Sequence, residues 1–208
     1  AKALNDNDQD RLIALLKKSS LNLMIVCGFV FLVINLNLND FYSLINQEGY
    51  ATATSVVVIV SLGKYFSMSM GCLNNIISNS KYYSYVFWFS VSSAILAVIL
   101  NYIFIQSNGI IGAALATLIV IVFINLCKII LVSVLFKIHP YSKKSIGIFA
   151  TIFLIYGLIY WIPTLLHPIL SIAVRSALIM GLFTLPMLLF RWSGDIEDVL
   201  KNIRSRLL

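Results

Sequence analysis

The chain is predicted to fold as an all-α polytopic membrane bundle, six transmembrane helices with both termini cytoplasmic, and three observations lead there. Hydrophobic residues make up 60% of its 208 residues and charged residues 11%, whereas a soluble domain is nearer about half apolar and about a quarter charged. The mean hydropathy is accordingly high, at +0.95. Apolar residues gather into runs that approach the roughly 20 needed to cross a hydrocarbon core about 30 Å thick. Lys and Arg are kept to alternate connections between those runs, the charge pattern of a chain threaded back and forth through a bilayer.

In chain order, residues 1–18 carry Asp6, Asp8 and Asp10, then Arg11, Lys17 and Lys18, around Leu12, Ile13, Leu15 and Leu16. That pattern predicts an amphipathic segment on the cytoplasmic membrane surface. It lacks the order of a signal peptide, and the absence of an initiator Met is expected of a fragment. A transmembrane domain over 19–192 follows, with spans at about 19–36, 51–74, 85–105, 109–130, 145–163 and 168–190. The tail, 193–208, sets Ile196, Val199, Leu200, Ile203 and Leu207 at helical spacing, with acids in its first turn and bases in its last. It reads as a cytoplasmic amphipathic helix whose charges match the helix dipole.

Orientation follows from the bases. Lys17 and Lys18 precede the first run, Lys81 follows the second, Lys137, Lys143 and Lys144 lie between the fourth and fifth, and Arg191 and Lys201 follow the sixth. The alternate connections, 37–50, 106–108 and 164–167, contain neither Lys nor Arg. The positive-inside rule therefore sends those connections outward. The net charge of +7 is explained by topology, so nucleic acid is not an expected partner.

Lys64 and Arg175 lie well inside spans, away from the clustered bases at the span ends. Lys64 is 13 residues past Ala51, about 20 Å along a helix, which puts it near the bilayer middle. Ser61, Lys64, Met68, Gly71 and Asn75 fall on one helical stripe, so the charge is expected to point with small and polar neighbours into a bundle or cavity. Arg175 lies seven residues past Pro168, within snorkelling reach of the outer end. The eight acids all fall in predicted loops or tails, so no span is expected to supply a carboxylate. Two readings of Lys64 and Arg175 remain open. Either they line a cationic cavity that attracts phosphate, or they are satisfied by backbone carbonyls or by a carboxylate from elsewhere in the protein.

Small residues mark helix contacts. Gly109, Gly112, Ala113 and Ala116, with Thr117, recur at three- to four-residue spacing, and Ser90, Ser93, Ala97 and Asn101 form a second stripe. Gln106, Ser107 and Asn108 are too few to cross a bilayer and predict a tight bend between two spans. Several chemistries are excluded. No Gly-rich phosphate loop is present. Cys27, Cys72 and Cys127 stand singly in apolar runs, and His139 and His167 are placed on opposite sides of the membrane. No metal site, cofactor or catalytic set is therefore expected, and the chain is read as a transporter, not an enzyme.

The ordered motifs are more specific than any one of them. Asn101-Tyr-Ile-Phe-Ile, a polar turn, and Gly109-Ile-Ile-Gly-Ala-Ala-Leu-Ala-Thr117 follow Asp40-Phe-Tyr-Ser-Leu-Ile45, Gly49-Tyr-Ala-Thr-Ala53 and Gly71-Cys-Leu-Asn-Asn-Ile-Ile77. This arrangement resembles the polysaccharide (Wzx-type) flippases of the multidrug, oligosaccharidyl-lipid and polysaccharide exporter superfamily, over about residues 19–135. A Phe-Gly pair common before the outward tyrosine is absent, and Asn79-Ser80 stands where a glycine is usual.

The resemblance implies a C-terminal portion of a transporter with two pseudo-symmetric lobes around a central cavity. It implies a polyprenyl-diphosphate-linked glycan as substrate, a missing N-terminal lobe as partner, and polymerase and glycosyltransferase partners in surface polysaccharide synthesis at the bacterial inner membrane. The alternatives are a drug or organic-cation exporter of the same superfamily, or a polytopic membrane enzyme such as an acyltransferase.

Overall fold

The computed structural model describes residues 9–45, 51–162, 167–190 and 192, and among these every regular element is helical. The elements are α1 (Gln9–Ile45), α2 (Ala51–Ser69), α3 (Leu73–Ser78), α4 (Ser84–Phe136), α5 (Lys143–Tyr160) and α6 (Pro168–Leu189). Helices α1, α4, α5 and α6 are long and apolar enough to cross a bilayer, and α2 contributes a shorter apolar stretch, Ala53–Ser69. The protein is an all-α, multi-pass membrane bundle. Residues 1–8 and the expected amphipathic tail over 193–208 lie outside the described residues.

Helix α1 is the hub, packing on α2, α5 and α6. It is longer than the expected 19–36 span at both ends and absorbs residues predicted as a surface segment and as a loop. The physical reason lies in its polar residues. Asn35 and Asn37 return their side-chain amides to the carbonyls of Phe31 and Val33, four residues back, at 2.7 and 2.8 Å, so they continue the helix instead of ending it. At the other end Leu12 and Leu16 are buried against Met70, Leu73 and Ile77 and against Val132 and Ile138, while Arg11, Lys17 and Lys18 are exposed. The amphipathic pattern is real, but its apolar face meets protein. Gly28 allows the close approach of α2 and α5, since a Cβ there would collide with Ile152 and sit 3.4 Å from the Tyr65 ring.

The expected 51–74 span stops at Ser69. Gly71 adopts φ +64, a left-handed turn that an L side chain resists. A Cβ there would also come within 2.5 Å of Ser19 Oγ and the Ser20 amide. The Cys72 N–H donates to Ser19 Oγ at 3.0 Å, pinning the turn to α1.

Helix α4 corrects a second boundary. Gln106, Ser107 and Asn108 are helical, and the bend falls on Gly109 alone, at φ 55 and ψ −133. In a straight helix residues eight apart are separated by about 12 Å, yet a Cβ on Gly112 would collide with the Phe104 carbonyl. The limbs 84–108 and 110–136 thus fold back on each other, and each exceeds the length of the predicted span. The second limb packs on α2, where Leu118 and Ile121 approach Gly63 at 3.2 and 3.3 Å from a built Cβ. It ends at Lys137, a left-handed cap at φ 55.

Helices α5 and α6 lie close to the predicted 145–163 and 168–190. The Ser145 hydroxyl accepts the Ser142 N–H at 3.0 Å at the start of α5, and Pro168 opens α6 where its missing N–H is not needed. The main core joins Met24, Leu32 and Leu36 of α1 to Ile148, Ile152 and Ile155 of α5 and Ile179 and Phe183 of α6.

Candidate functional site

Arg175 is a buried cation held through both terminal guanidinium nitrogens, while its Nε has no partner among the described residues. One guanidinium nitrogen, Nη1, donates to Asp40 Oδ2 at 3.1 Å and to the Leu36 carbonyl at 3.1 Å, while Nη2 donates to the Ile162 carbonyl at 2.7 Å. Ser171 Oγ donates to the same carboxylate oxygen at 2.7 Å. The side chains of Arg175 and Asp40 are 9% and 3% exposed. Two expectations are corrected here. Asp40 is not in a loop, because α1 runs on past Leu36, so a membrane helix does supply a carboxylate. Arg175 does not snorkel outward, because its charge ties α6 to α1.

The tie has a polar surround. Asn37 Nδ2 also donates to Ser176 Oγ at 3.2 Å, and Asn35 and Ser61 exchange hydrogen bonds at 2.9 and 3.1 Å between α1 and α2. Sequence patterning missed this set because Asn35, Asn37 and Asp40 looked like the polar end of a span. The usable signal was the i, i+4 spacing of Leu36 and Asp40 with no Gly or Pro between them.

Lys64 has a different setting. It is exposed, and among the described residues it has no hydrogen-bonding or ion-pairing partner. Because α2 ends at Ser69, Lys64 is five residues, about 7 to 8 Å, from that helix end and not at the helix centre. The predicted stripe is also divided. Ser61 faces Asn35, Gly71 forms the turn, and Asn75 is exposed on α3, so these residues do not make one polar face with Lys64.

The bundle contains a chamber of about 400 Å³ lined by Phe31, Val58, Leu62, Tyr65, Phe66, Leu118, Val122, Phe149, Ile152, Phe153 and Tyr156. Its wall is apolar, and Lys64 is not part of it. The lining residues of α2 share a face spaced i, i+4, i+7 and i+8, and Lys64 lies roughly 140° around the helix from the middle of that face. Toward the start of α5 the rings of Tyr65 and Phe149 meet edge-on at 5.6 Å, and beside Phe149 lies Tyr141, whose hydroxyl pairs with Ser69 Oγ at 2.8 Å. Tyr141 sits in the α4–α5 connection. Burial pushes its phenol up from its ordinary value, and the bond to Ser69 offsets part of that rise.

The remaining candidates lie on α4. Gly112 and Ala116 are buried, Ala113 is half-buried, and Gly109 is exposed at the bend. Asn101 gives its amide to the Ala97 carbonyl at 2.8 Å and Ser90 gives its hydroxyl to the Val86 carbonyl at 2.9 Å. A Ser/His contact that the sequence did not anticipate joins Ser133 Oγ and His139 Nδ1 at 2.8 Å. Ser133 Oγ also lies 2.7 Å from the Ile129 carbonyl, to which it donates. The Ile129 carbonyl thus competes with the histidine nitrogen for the Ser133 hydroxyl proton. Among the described residues no group of three His, Cys, Asp or Glu converges as a metal site. No family model, curated protein or solved structure matches the chain.

Proposed function

We propose that the chain is the C-terminal part of a flippase that moves undecaprenyl-diphosphate-linked oligosaccharide across the bacterial inner membrane for surface polysaccharide synthesis. The ordered motifs between about residues 19 and 135 support this reading, and so does the all-α membrane bundle. The observation that carries it is Lys64, a cation on a membrane helix that is exposed and unpaired among the described residues. A lysine on a membrane helix carries an insertion cost that falls from on the order of 3 kcal/mol at the helix centre toward the helix end, where Lys64 stands. An anionic cargo passing that face of α2 offsets the cost, and a diphosphate is the strongest such partner in a lipid carrier.

In this reading the Lys64 face of α2 looks toward the cavity shared with the N-terminal lobe, while Arg175 and Asp40 hold α6 and α1 rigid behind it. Polymerase and glycosyltransferases act on either side of the transfer. An organic-cation exporter is disfavoured because Asp40, the carboxylate that the described helices offer near the bundle core, is already paired with Arg175. The test is Lys64→Ala in the full-length protein. The expected result is loss of surface polysaccharide with protein level unchanged, and retention of polymer in Lys64→Arg. Normal polymer in Lys64→Ala would remove the basis of the reading.

A further inference from the structure

The aromatic chamber is distinct from the Lys64 face, and neither the flippase reading nor the ion pair makes use of it. Three facts define what it can hold. Its volume, about 400 Å³, lies within the range of about 300 to 1,000 Å³ typical of ligand sites. Its walls, which include Phe66, Leu118, Val122, Phe149 and Ile152, are apolar apart from the hydroxyls of Tyr65 and Tyr156, too few polar groups to solvate a sugar. It is a cleft between membrane helices, because α5 packs on α1 and α6 while the second limb of α4 packs on α2.

The chamber also has a direction. Toward the start of α5 its lining includes Tyr65 and Phe149, beside the Tyr141–Ser69 bond. Toward the end of α5 stands Tyr156, whose hydroxyl has no hydrogen-bond partner among the described residues and whose ring stacks on Tyr160 at 6.1 Å. Tyr160 and Trp161 are 63% and 83% exposed, the placement of aromatics at a bilayer interface. An apolar slot, with the unpartnered hydroxyls of Tyr65 and Tyr156 in its lining and an aromatic rim beyond Tyr156, matches a single hydrocarbon chain attached to an oxygen-bearing head.

We propose that this chamber binds one acyl chain of a membrane glycerolipid, with the Tyr156 hydroxyl donating to an ester oxygen and Tyr160 and Trp161 against the headgroup. Hydrocarbon is the solvent around these helices, so the chain enters without desolvation cost. It replaces the packing contacts that an empty cleft would forfeit. The site does not depend on the substrate of the transporter.

The test is bromolipid quenching. A single tryptophan is introduced as Phe66→Trp in a chain whose Trp88, Trp161 and Trp192 are replaced by phenylalanine, and the protein is placed in nanodiscs of phosphatidylcholine brominated on its acyl chains. The expected result is loss of the introduced tryptophan's fluorescence relative to unbrominated discs, and recovery when Val122→Phe fills the chamber. Quenching by aqueous acrylamide with no effect of bromine would overturn the proposal. Trp192 is buried, so the triple replacement can fail to fold. The parallel measurement is therefore native mass spectrometry of the otherwise unaltered chain. Val122→Phe is expected to lose one retained lipid and Tyr156→Phe to retain it less often. Equal retention in all three proteins would overturn the assignment.

Discussion

Arg175 and Lys64 are both cations on membrane helices, and the structure treats them in opposite ways. Arg175 is enclosed by α1 and α6, with a carboxylate, a hydroxyl and two backbone carbonyls converging on its cluster. Lys64 stands on a face of α2 that the rest of the described bundle does not cover. A charge surrounded by fixed partners is a structural joint, because moving it would strand an opposite charge in apolar surroundings. A charge left open keeps its interaction energy for something that arrives. The contrast separates an architectural residue from a functional candidate that the sequence had placed together.

The largest effect should come from breaking the joint. Arg175→Met leaves Asp40 buried without a counter-charge, and a loss of about 3 to 5 kcal/mol is expected, read as a fall in thermal stability in detergent and in folded yield. Adding Asp40→Asn to that variant should recover much of the loss. If Arg175→Met is as stable as the parent, the ion pair is not a joint and the contrast with Lys64 fails. Lys64→Ala, by comparison, is expected to leave stability intact while polymer is lost.

A smaller effect tests the support of α2, on which the exposure of Lys64 depends. Gly112→Leu drives a side chain into the Phe104 carbonyl where the limbs of α4 meet, and about 1 to 3 kcal/mol of overpacking is expected. Thermal unfolding compared with Ala113→Leu, at a half-buried neighbour, would show whether the close approach at Gly112 is responsible. Equal losses at the two positions would count against it. The smallest effect belongs to the Asn35–Ser61 bond between α1 and α2. Ser61→Ala should cost about 0.6 kcal/mol, the average for such bonds in membranes. A double-mutant cycle with Asn35→Leu would measure the coupling, and zero coupling would show that apolar packing alone orients this face.

Much of the helix order was legible because membrane helices must be long and apolar and must satisfy their own backbone. Spans five and six were placed within a few residues, since Pro168 and the Ser142–Ser145 start are local signals. The ends of α1 and α2 were not legible. The asparagines near Leu36 are equally good loop formers and helix bonders, and the choice depends on partners in α2 and α6. The Gly109 bend was visible as a polar interruption, but its confinement to a single residue was not, because only the contact between Phe104 and Gly112 shows how tightly the limbs close.

The amino-acid order by itself determined that this is a multi-pass helical membrane protein, that Lys64 and Arg175 lie well within its apolar runs, and where most helices begin. Those properties follow from composition and periodicity, which act on each segment separately. Only the tertiary structure decided that Asp40 belongs to a helix and neutralises Arg175, that Lys64 remains open, and that an apolar chamber forms behind α2. Each of these depends on which faces of distant helices meet, and a charge or a cavity is defined by its neighbours.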